Sequence, residues 1–473
     1  MGVCLLTASL FSCKGEIEKT EPGKETNTEA KENAFVYQSI TPQSMPDLGI
    51  NGFNFPEDSV VLNKWIHDGK NDSIHLHGWG IWTGLTSNTD IKVDGEESFL
   101  RVFETWMTPE EMITDIKSDK QLFRAHNRSN RANLKRPHQF SHFASDASSV
   151  NDSIHESVSY NPSASEFAIE NKIFMATTLY DLSQSKKEIT FFPNDAITIK
   201  PVFKLLNASS GETTFNIAAW NGTTDELIGF PEKDWNSYVT IDVKNTSSAS
   251  NGVFPVSDFI HYKLNKEDAY FFNKEFSENA GNKFNAKPGD IAVLVGMHVG
   301  TREITNWTWQ TFWWSKTPDA PNAPSSTSIA NIRPDELKGA ARHYAMSVAY
   351  FMVNPNEPTN GTNIEGETLY AFNPYLEAGF GPDVFDKDIS YVNTKNGKVN
   401  TYAGVRTNCM SCHRMATVNP DKLGTSNPSK TPYVGNSFVS KNDSLFNGQL
   451  LLDFAWSIEG NLDTTGLYQH INK

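Results

Sequence analysis

The chain has 473 residues and a formal net charge of −15 at pH 7, with 56 acidic side chains against 41 Lys and Arg. This balance argues against nucleic-acid binding, since it implies no strongly basic face, and any charged redox partner is expected to be basic. The length predicts two or three domains. After the first residues, no stretch approaches the roughly 18–20 apolar residues of a membrane-spanning helix.

The N-terminal residues predict export. Residues 1–13 are mostly small and apolar and end Leu-Phe-Ser-Cys, which resembles a bacterial lipobox with Cys13 as the lipidated residue. Phe11 is unusual in a lipobox and the basic start of a signal peptide is missing, so a truncated signal and no signal both stay open. Residues 14–34 predict a disordered polar tether. The expected location is the periplasm, the outer membrane or the cell surface, with a lipid anchor in the membrane.

Residues 35–315 predict a β-rich domain of the antiparallel, sandwich-like type. Apolar alternation or continuous apolar runs predict strands at 196–206, 215–220, 238–243, 290–299 and 306–314. A helix is expected to begin at Thr108, which is followed by Pro109 and Glu111. A second helix is expected from Ser163 to Ala176.

Residues 316–333 are rich in Pro and Ser and predict a linker. Beyond it, residues 334–473 predict a mainly α-helical, loop-rich haem c domain. Its expected helices are Asp335–Met352, opened by Pro334, and Ser444–Ile458. The fold class expected for the whole chain is therefore mixed, with a β-rich N-terminal domain and a helical C-terminal one.

The most informative motif is C-x-x-C-H at residues 409–413. Cys409 and Cys412 lie about one helical turn apart, so both thiols can add to the vinyl groups of one porphyrin as thioethers. His413 then offers an imidazole nitrogen to the iron. A zinc site with four cysteine ligands needs a second cysteine pair. The two cysteines outside the motif, Cys4 and Cys13, both lie near the N-terminus. A thioredoxin-type pair would follow a strand, whereas a polar, Gly-containing segment precedes this motif.

The sixth iron ligand is open from sequence alone. A Met or His ligand makes a six-coordinate electron carrier, and an open position permits ligand binding or peroxide chemistry. We favour Met346 on the helix expected at Asp335–Met352. The alternatives are His343, Met352, Met297 and no protein ligand. For the surroundings, we expect a carbonyl near Pro420 or Pro428 to orient His413, and Arg406 and Arg414 either to pair with the haem propionates or to be solvated.

Several segments in this order resemble the bacterial cytochrome c family proteins of lipoprotein type, which have a long N-terminal region and a single C-terminal CxxCH motif. The segments are residues 77–86, 103–106, 158–162, 301–309 and 373–377, followed by the haem motif. The resemblance covers most of residues 75–460. It implies one covalent haem c and electron transfer, and it implies neither a substrate nor the sixth ligand.

Three other groups of residues have more than one interpretation. His75 and His77 on one strand face have a copper- or zinc-like spacing, although a polar strand face is the simpler interpretation. The basic residues between Arg124 and His142 could dock an anionic partner or line the haem edge, or form a solvated loop. Trp307, Trp309 and Trp313 could form a platform for sugars or a stripe against the haem domain, with core packing the default.

The sequence thus predicts an exported, membrane-tethered monohaem c-type cytochrome that transfers one electron at a time to a redox partner protein, an electron carrier rather than a catalyst. One alternative is a haem-dependent oxidoreductase or peroxidase whose substrate binds the β-rich domain. The other is a surface glycan-binding module with an accessory haem.

Overall fold

One antiparallel sheet of seven strands carries most of the core. It is seen in a computed structural model that describes residues 38–93, 98–118, 126–128, 154–222, 232, 235–246, 252–280, 285–354, 367–377, 391–393, 398–400, 407–425 and 438–472. Within those ranges the sheet has the order β14-β13-β12-β7-β5, with β6 also on β7 and β11 also on β12.

The helices are α1 Ser59–His67, α2 Asn71–Thr86, α3 Pro109–Lys117, α4 Pro162–Glu170, α5 Ala176–Ser183, α6 Lys266–Ala280, α7 Thr327–Asn331, α8 Pro374–Glu377, α9 Cys409–His413, α10 Trp456–Glu459 and α11 Leu467–Ile471. The strands are β1 Gln38–Ile40, β2 Asn88–Lys92, β3 Phe99–Arg101, β4 His126–Arg128, β5 His155–Glu156, β6 Ser159–Tyr160, β7 Ile197–Leu206, β8 Thr214–Ala218, β9 Tyr238–Asp242, β10 Val253–Pro255, β11 His261–Lys263, β12 Ile291–Thr301, β13 Thr308–Trp314, β14 Tyr344–Ala349, β15 Val353–Asn354, β16 Glu367–Thr368, β17 Tyr391–Asn393, β18 Lys398–Asn400, β19 Thr417–Val418 and β20 Leu450–Leu451.

Strand β12 lies at the centre of the sheet, and its sequence explains why. Its run Ile-Ala-Val-Leu-Val-Gly-Met-His-Val-Gly-Thr is almost entirely buried, as expected for a strand covered on both faces. It pairs with β13 on one side and with β7 on the other, with an irregularity between Leu294 and Gly296. Because directly opposed residues of antiparallel strands share a face, this register fixes which side chains point to each side of the sheet.

The first face of the sheet is covered by helix α2. Phe312 is opposite both Met297 and Met346 in the register, so these three side chains share this face. The Trp82 indole stacks on Phe312 with ring centroids 4.3 Å apart. A Cβ at Gly78 would lie 2.8 Å from the Met346 sulfur, so glycine allows the helix to approach the sheet this closely.

The second face supports the C-terminal part of the chain. His298 is opposite Lys200 and Thr311, and Gly300 is opposite Thr198 and Trp309. These residues belong to the face that does not contact α2. Helices α8 and α9 and the loop that carries Phe454 pack here.

The predicted fold class is wrong, because the C-terminal region is not a small helical domain. Residues 344–349, expected within a helix, form strand β14 and pair with β13 over six residues. Ser444–Ile458, expected to be one helix, holds a 3-10 turn, strand β20 and the short helix α10. The expected linker 316–333 connects two neighbouring strands of the same sheet.

Predictions that rest on local signals fare better. The strands expected at 196–206, 238–243 and 290–299 correspond to β7, β9 and β12. Helix α3 begins at Pro109, and Thr108 and Glu111 form its capping box. The helix expected over Ser163–Ala176 is instead α4 and the start of α5, separated by a turn. In the described ranges no helix has both the length and the apolarity needed to cross a bilayer.

Candidate functional site

Helix α9 consists of the motif itself, and Asn408 fixes it in place. The Asn408 side-chain oxygen accepts a hydrogen bond from the Ser411 amide at 3.0 Å, as an N-cap does. Its side-chain nitrogen donates to the carbonyls of Leu369 and Phe351. Asn408 is fully buried, so these bonds tie a five-residue helix, too short to be stable alone, to the segments beside it.

Both motif cysteines open onto one cleft and are not joined to each other. The Cys409 thiol donates to the Ala371 carbonyl at 3.2 Å. Each residue keeps part of its surface open, yet burial of the thiols raises the pKa of both, and the nearby Glu377 carboxylate raises it further. A redox-active pair of the thioredoxin type needs the opposite shift, so the site favours neutral thiols.

His413 lies on the same cleft with one ring nitrogen already bonded. Its Nδ1 is 2.9 Å from the Phe454 carbonyl oxygen, so Nδ1–H donates to that carbonyl. Burial lowers the pKa of His413 to about 3, with the Phe454 hydrogen bond acting in the opposite direction, so the imidazole is neutral at pH 7. Nε2 then carries the lone pair, and it has no hydrogen bond to any described residue. This is the arrangement of a metal-ligating histidine.

The Trp309 side chain and the Phe454 backbone carbonyl hold the His413 ring in place. The Trp309 indole stacks on it with centroids 3.9 Å apart and planes 29° apart. The Phe454 carbonyl is presented by a turn in which Asp453 and Phe454 have φ of 46° and 68°, a left-handed conformation that is costly for a side chain such as phenylalanine. Asp453 holds that turn, because its carboxylate accepts hydrogen bonds from the Phe192 amide and from Arg302.

The cleft in front of these residues is partly open to solvent. Its apolar wall includes Val158, Ile199, Trp309, Ala371, Ala455 and Trp456. This apolar lining suits a flat cofactor with a large apolar surface.

The polar wall of the cleft is an ordered set of charged side chains. Lys200 forms an ion pair with Glu156 at 2.7 Å. His298 Nε2 lies 2.6 Å from Glu377 Oε1, and the other Glu377 oxygen accepts from the Asn373 amide at 2.5 Å. All four charged or titratable residues line the same cleft as the motif.

The structure does not bring the expected sixth ligands to this cleft. Met346 and Met297 lie on the opposite face of the sheet, because both are opposite Phe312 in the strand register. His343 is 3.5 Å from the Asp258 carboxylate. The Met352 sulfur accepts from the Val439 amide at 3.4 Å. None of the four lines the cleft as described.

The expected surroundings of the motif also differ. The carbonyl that orients His413 belongs to Phe454, not to the region of Pro420. Arg414 is buried with its guanidinium over the Phe454 ring, 4.2 Å from the centroid, and donates to Asn306, so it does not line the cleft. Arg406, Pro428, Cys4, Cys13 and nearly all of residues 124–142 lie outside the described residues.

The histidine pair at 75 and 77 is not on a strand, because both residues belong to helix α2. His77 is fully buried and contacts the Tyr350 hydroxyl at 2.6 Å and the Glu303 carboxylate at 3.1 Å, whereas His75 lines a different pocket. The three tryptophans are all at most 4% exposed. They pack in the core, and Trp309 additionally contacts His413.

Sequence reasoning missed His298, Glu377 and Lys200. The sequence contains a weak indication of His298, because it is the one histidine in a mostly apolar stretch, residues 291–301. The Asn-Pro-Tyr-Leu-Glu sequence at 373–377 has the spacing of a capping residue and a carboxylate at N3–N4. Neither signal says that the two residues meet, because they are 79 positions apart.

No group of three or more His, Cys, Asp or Glu side chains among the described residues is placed to hold a metal ion. A zinc site at the motif would require such a group, whereas a haem iron needs only one or two protein ligands. Comparison of the chain with protein-family models, curated proteins and solved structures finds no match.

Proposed function

We propose that the protein is an exported c-type cytochrome that carries one haem on Cys409 and Cys412 and transfers single electrons. The observation that carries the proposal is the state of His413. Its Nδ1–H is bonded to the Phe454 carbonyl, and its ring opens onto the same apolar cleft as the two thiols. A sequence motif alone does not require this arrangement, since a CxxC pair in another role has no need of an oriented imidazole beside it.

The residues present fit the group. Cys409 and Cys412 provide the two sulfurs for thioether attachment, and His413 provides a neutral imidazole for the iron. The apolar wall would face the porphyrin, and Lys200, which is paired with Glu156, is a cation that lines the same cleft. When bound, haem supplies the Fe(III)/Fe(II) couple. Trp309 and the Phe454 carbonyl keep the His413 ring in one orientation, which limits reorganisation at the ligand.

Attachment to a membrane through Cys13 is part of the same proposal. Thioether attachment of haem takes place outside the bacterial cytoplasm, which agrees with the lipobox-like sequence. We expect the acidic surface to meet a basic redox partner, with association that weakens as salt is added.

The test is expression of the whole chain in a host that matures c-type cytochromes, followed by a pyridine haemochrome assay and intact mass spectrometry. We expect one covalent haem per chain. The double variant Cys409→Ala/Cys412→Ala should lack covalent haem, while Cys13→Ser should keep the haem and lose the lipid mass. A colourless wild type, or one with zinc at the motif thiols, contradicts the proposal.

A haem enzyme is the second candidate, because charged side chains line the same cleft as the motif. An electron carrier with both axial positions filled binds CO slowly or not at all, whereas an enzyme with an open position binds it at once. The reduced-minus-oxidised spectrum with CO therefore separates the two. The glycan-binding alternative loses its main support, since Trp307, Trp309 and Trp313 are buried.

A further inference from the structure

We infer that His298 is the second protein ligand of the haem iron, in addition to His413. The inference rests on the proposed haem and goes beyond it, since it names the residue that completes the coordination and decides between an electron carrier and an open haem site. It replaces Met346, the residue that sequence reasoning favours.

The strand register places His298 beside the residue that supports His413. Trp309 is opposite Gly300, two positions after His298 on β12, so His298 and Trp309 share a sheet face as diagonal neighbours. Such neighbours are about 7–8 Å apart. Trp309 stacks on the His413 ring, and both imidazoles line one cleft. His298 on the sheet and His413 on α9 therefore both border the space for the cofactor.

His298 is also held by a carboxylate, as ligating histidines often are. One ring nitrogen, Nε2, is 2.6 Å from the Glu377 carboxylate and donates to it. That leaves Nδ1 as the nitrogen with the lone pair, and it has no hydrogen bond to any described residue. At His413 the Phe454 carbonyl accepts from Nδ1 and leaves Nε2, so the two imidazoles keep different nitrogens for the iron. Ligating histidines regularly donate their second N–H to a carboxylate or a carbonyl.

Glu377 is itself fixed, so it can hold His298 in one orientation. Its second oxygen accepts from the Asn373 amide. Asn373 is fully buried, and its side chain donates to the Thr311 hydroxyl and the Phe312 carbonyl of the sheet. A Cβ at Gly296 would lie 2.7 Å from the Asn373 side chain, so a glycine in β12 makes room for this anchor.

The competing ligands are excluded by position. The described lining of the cleft contains two histidines, His298 and His413, and no methionine. Met346 faces helix α2, where its sulfur lies against Gly78. To reach the cleft it would have to pass through the sheet, which would break the pairing of β13 with β14.

The experiment compares the absorption and electron paramagnetic resonance spectra of the matured wild type with those of His298→Ala, Met346→Leu and Glu377→Gln. We expect a low-spin wild type without the absorption band of Fe(III)–methionine ligation, and without rapid CO binding. His298→Ala should become high-spin and bind CO rapidly, and added imidazole should restore the low-spin spectrum. Met346→Leu should match the wild type, and Glu377→Gln should stay low-spin with a changed reduction potential, because His298 loses a charged acceptor.

Two results overturn the inference: a high-spin spectrum in Met346→Leu, or a low-spin spectrum in His298→Ala without imidazole. Imidazole rescue separates ligand loss from misfolding, since a disordered site would not regain the wild-type spectrum. Absence of haem from the wild type is a different failure, because it removes the proposed function as well.

Discussion

At the scale of single residues, the chemistry of the site depends on which nitrogen or oxygen atoms are already bonded. His413 is one member of a motif that any reader of the sequence would find. The orientation of its ring is set by the Phe454 carbonyl, 41 positions away, which lies in a turn with left-handed backbone. Asp453 stabilises that turn, because its buried carboxylate accepts hydrogen bonds from the Phe192 amide and from Arg302.

Asp453 makes folding depend on pH. Burial raises its pKa to about 6 from an ordinary value of 3.8, despite the opposing charge of Arg302. The folded state therefore keeps a proton that the unfolded state loses, and the stability this contributes is present below about pH 4 and lost as pH rises to about 6. In urea unfolding across that window, the wild type should lose about 2–3 kcal/mol relative to Asp453→Asn.

The control is Asp68→Asn. Hydrogen bonds from Lys64 and His67 lower the pKa of Asp68 below its ordinary value of 3.8, the opposite direction to Asp453, so Asp68 should cause no loss of stability as pH rises from 4 to 6. The stability difference between the wild type and Asp68→Asn should be flat between pH 4 and 6. If Asp453→Asn gives an equally flat difference, the carboxylate is already ionised in the folded protein at pH 4.

At the scale of elements, the strands that could be read from the sequence are those whose pattern is strong locally, such as β7 and β12. Strand β14 could not, because Tyr-Ala-Met-Ser-Val-Ala has no strict alternation and contains good helix formers. Pairing with β13 decides its structure, and such tertiary context overrides propensity. The same limit applies to His298 and Glu377, whose contact depends on strand register and on where α8 packs.

The contact between β12, Trp309 and His413 is tight enough to be tested by one methyl group. A Cβ at Gly300 would lie 2.8 Å from the Trp309 ring, and that ring already stacks on His413. Because the indole has no room to retreat, Gly300→Ala should lower the free energy of unfolding by about 1–3 kcal/mol, as overpacking does. Urea unfolding measures the loss, and near-ultraviolet circular dichroism should show a changed tryptophan environment.

Gly460→Ala is the matched control, because Gly460 lines the same cleft but has an ordinary φ of −70° and no heavy atom within 4 Å of an added Cβ. It should be neutral, or stabilising by about 0.5–1 kcal/mol through the unfolded state. Equal effects of the two substitutions would mean that Trp309 is not held against the strand.

At the scale of the whole molecule, the cleft is assembled from distant parts of the chain. Lys200 comes from β7, His298 from β12, Glu377 from α8 and the motif from α9. Residues 37–473 form one compact unit, and the sheet joins both sides of the expected linker. The motif predicts a helical domain that binds haem by itself, but sequence alone could not show that the cleft beside the motif is built partly on the sheet.

This arrangement predicts that neither half of residues 37–473 folds alone. A fragment ending at Ser315 leaves the buried strand β13 as an unpaired edge, since it loses the six partners that β14 supplies. A fragment of residues 334–473 leaves β14 without its partner β13. It also lacks the hydrogen bond from the Tyr344 hydroxyl to the Leu294 carbonyl, which is 2.7 Å long in the whole chain. We expect both fragments to unfold without a cooperative transition, and residues 37–473 to unfold in one transition that fluorescence and circular dichroism report at the same urea concentration. Cooperative unfolding of the 334–473 fragment, with haem attached, would instead support the separate C-terminal domain that the sequence suggests. It would also show that His298 is not needed as an iron ligand.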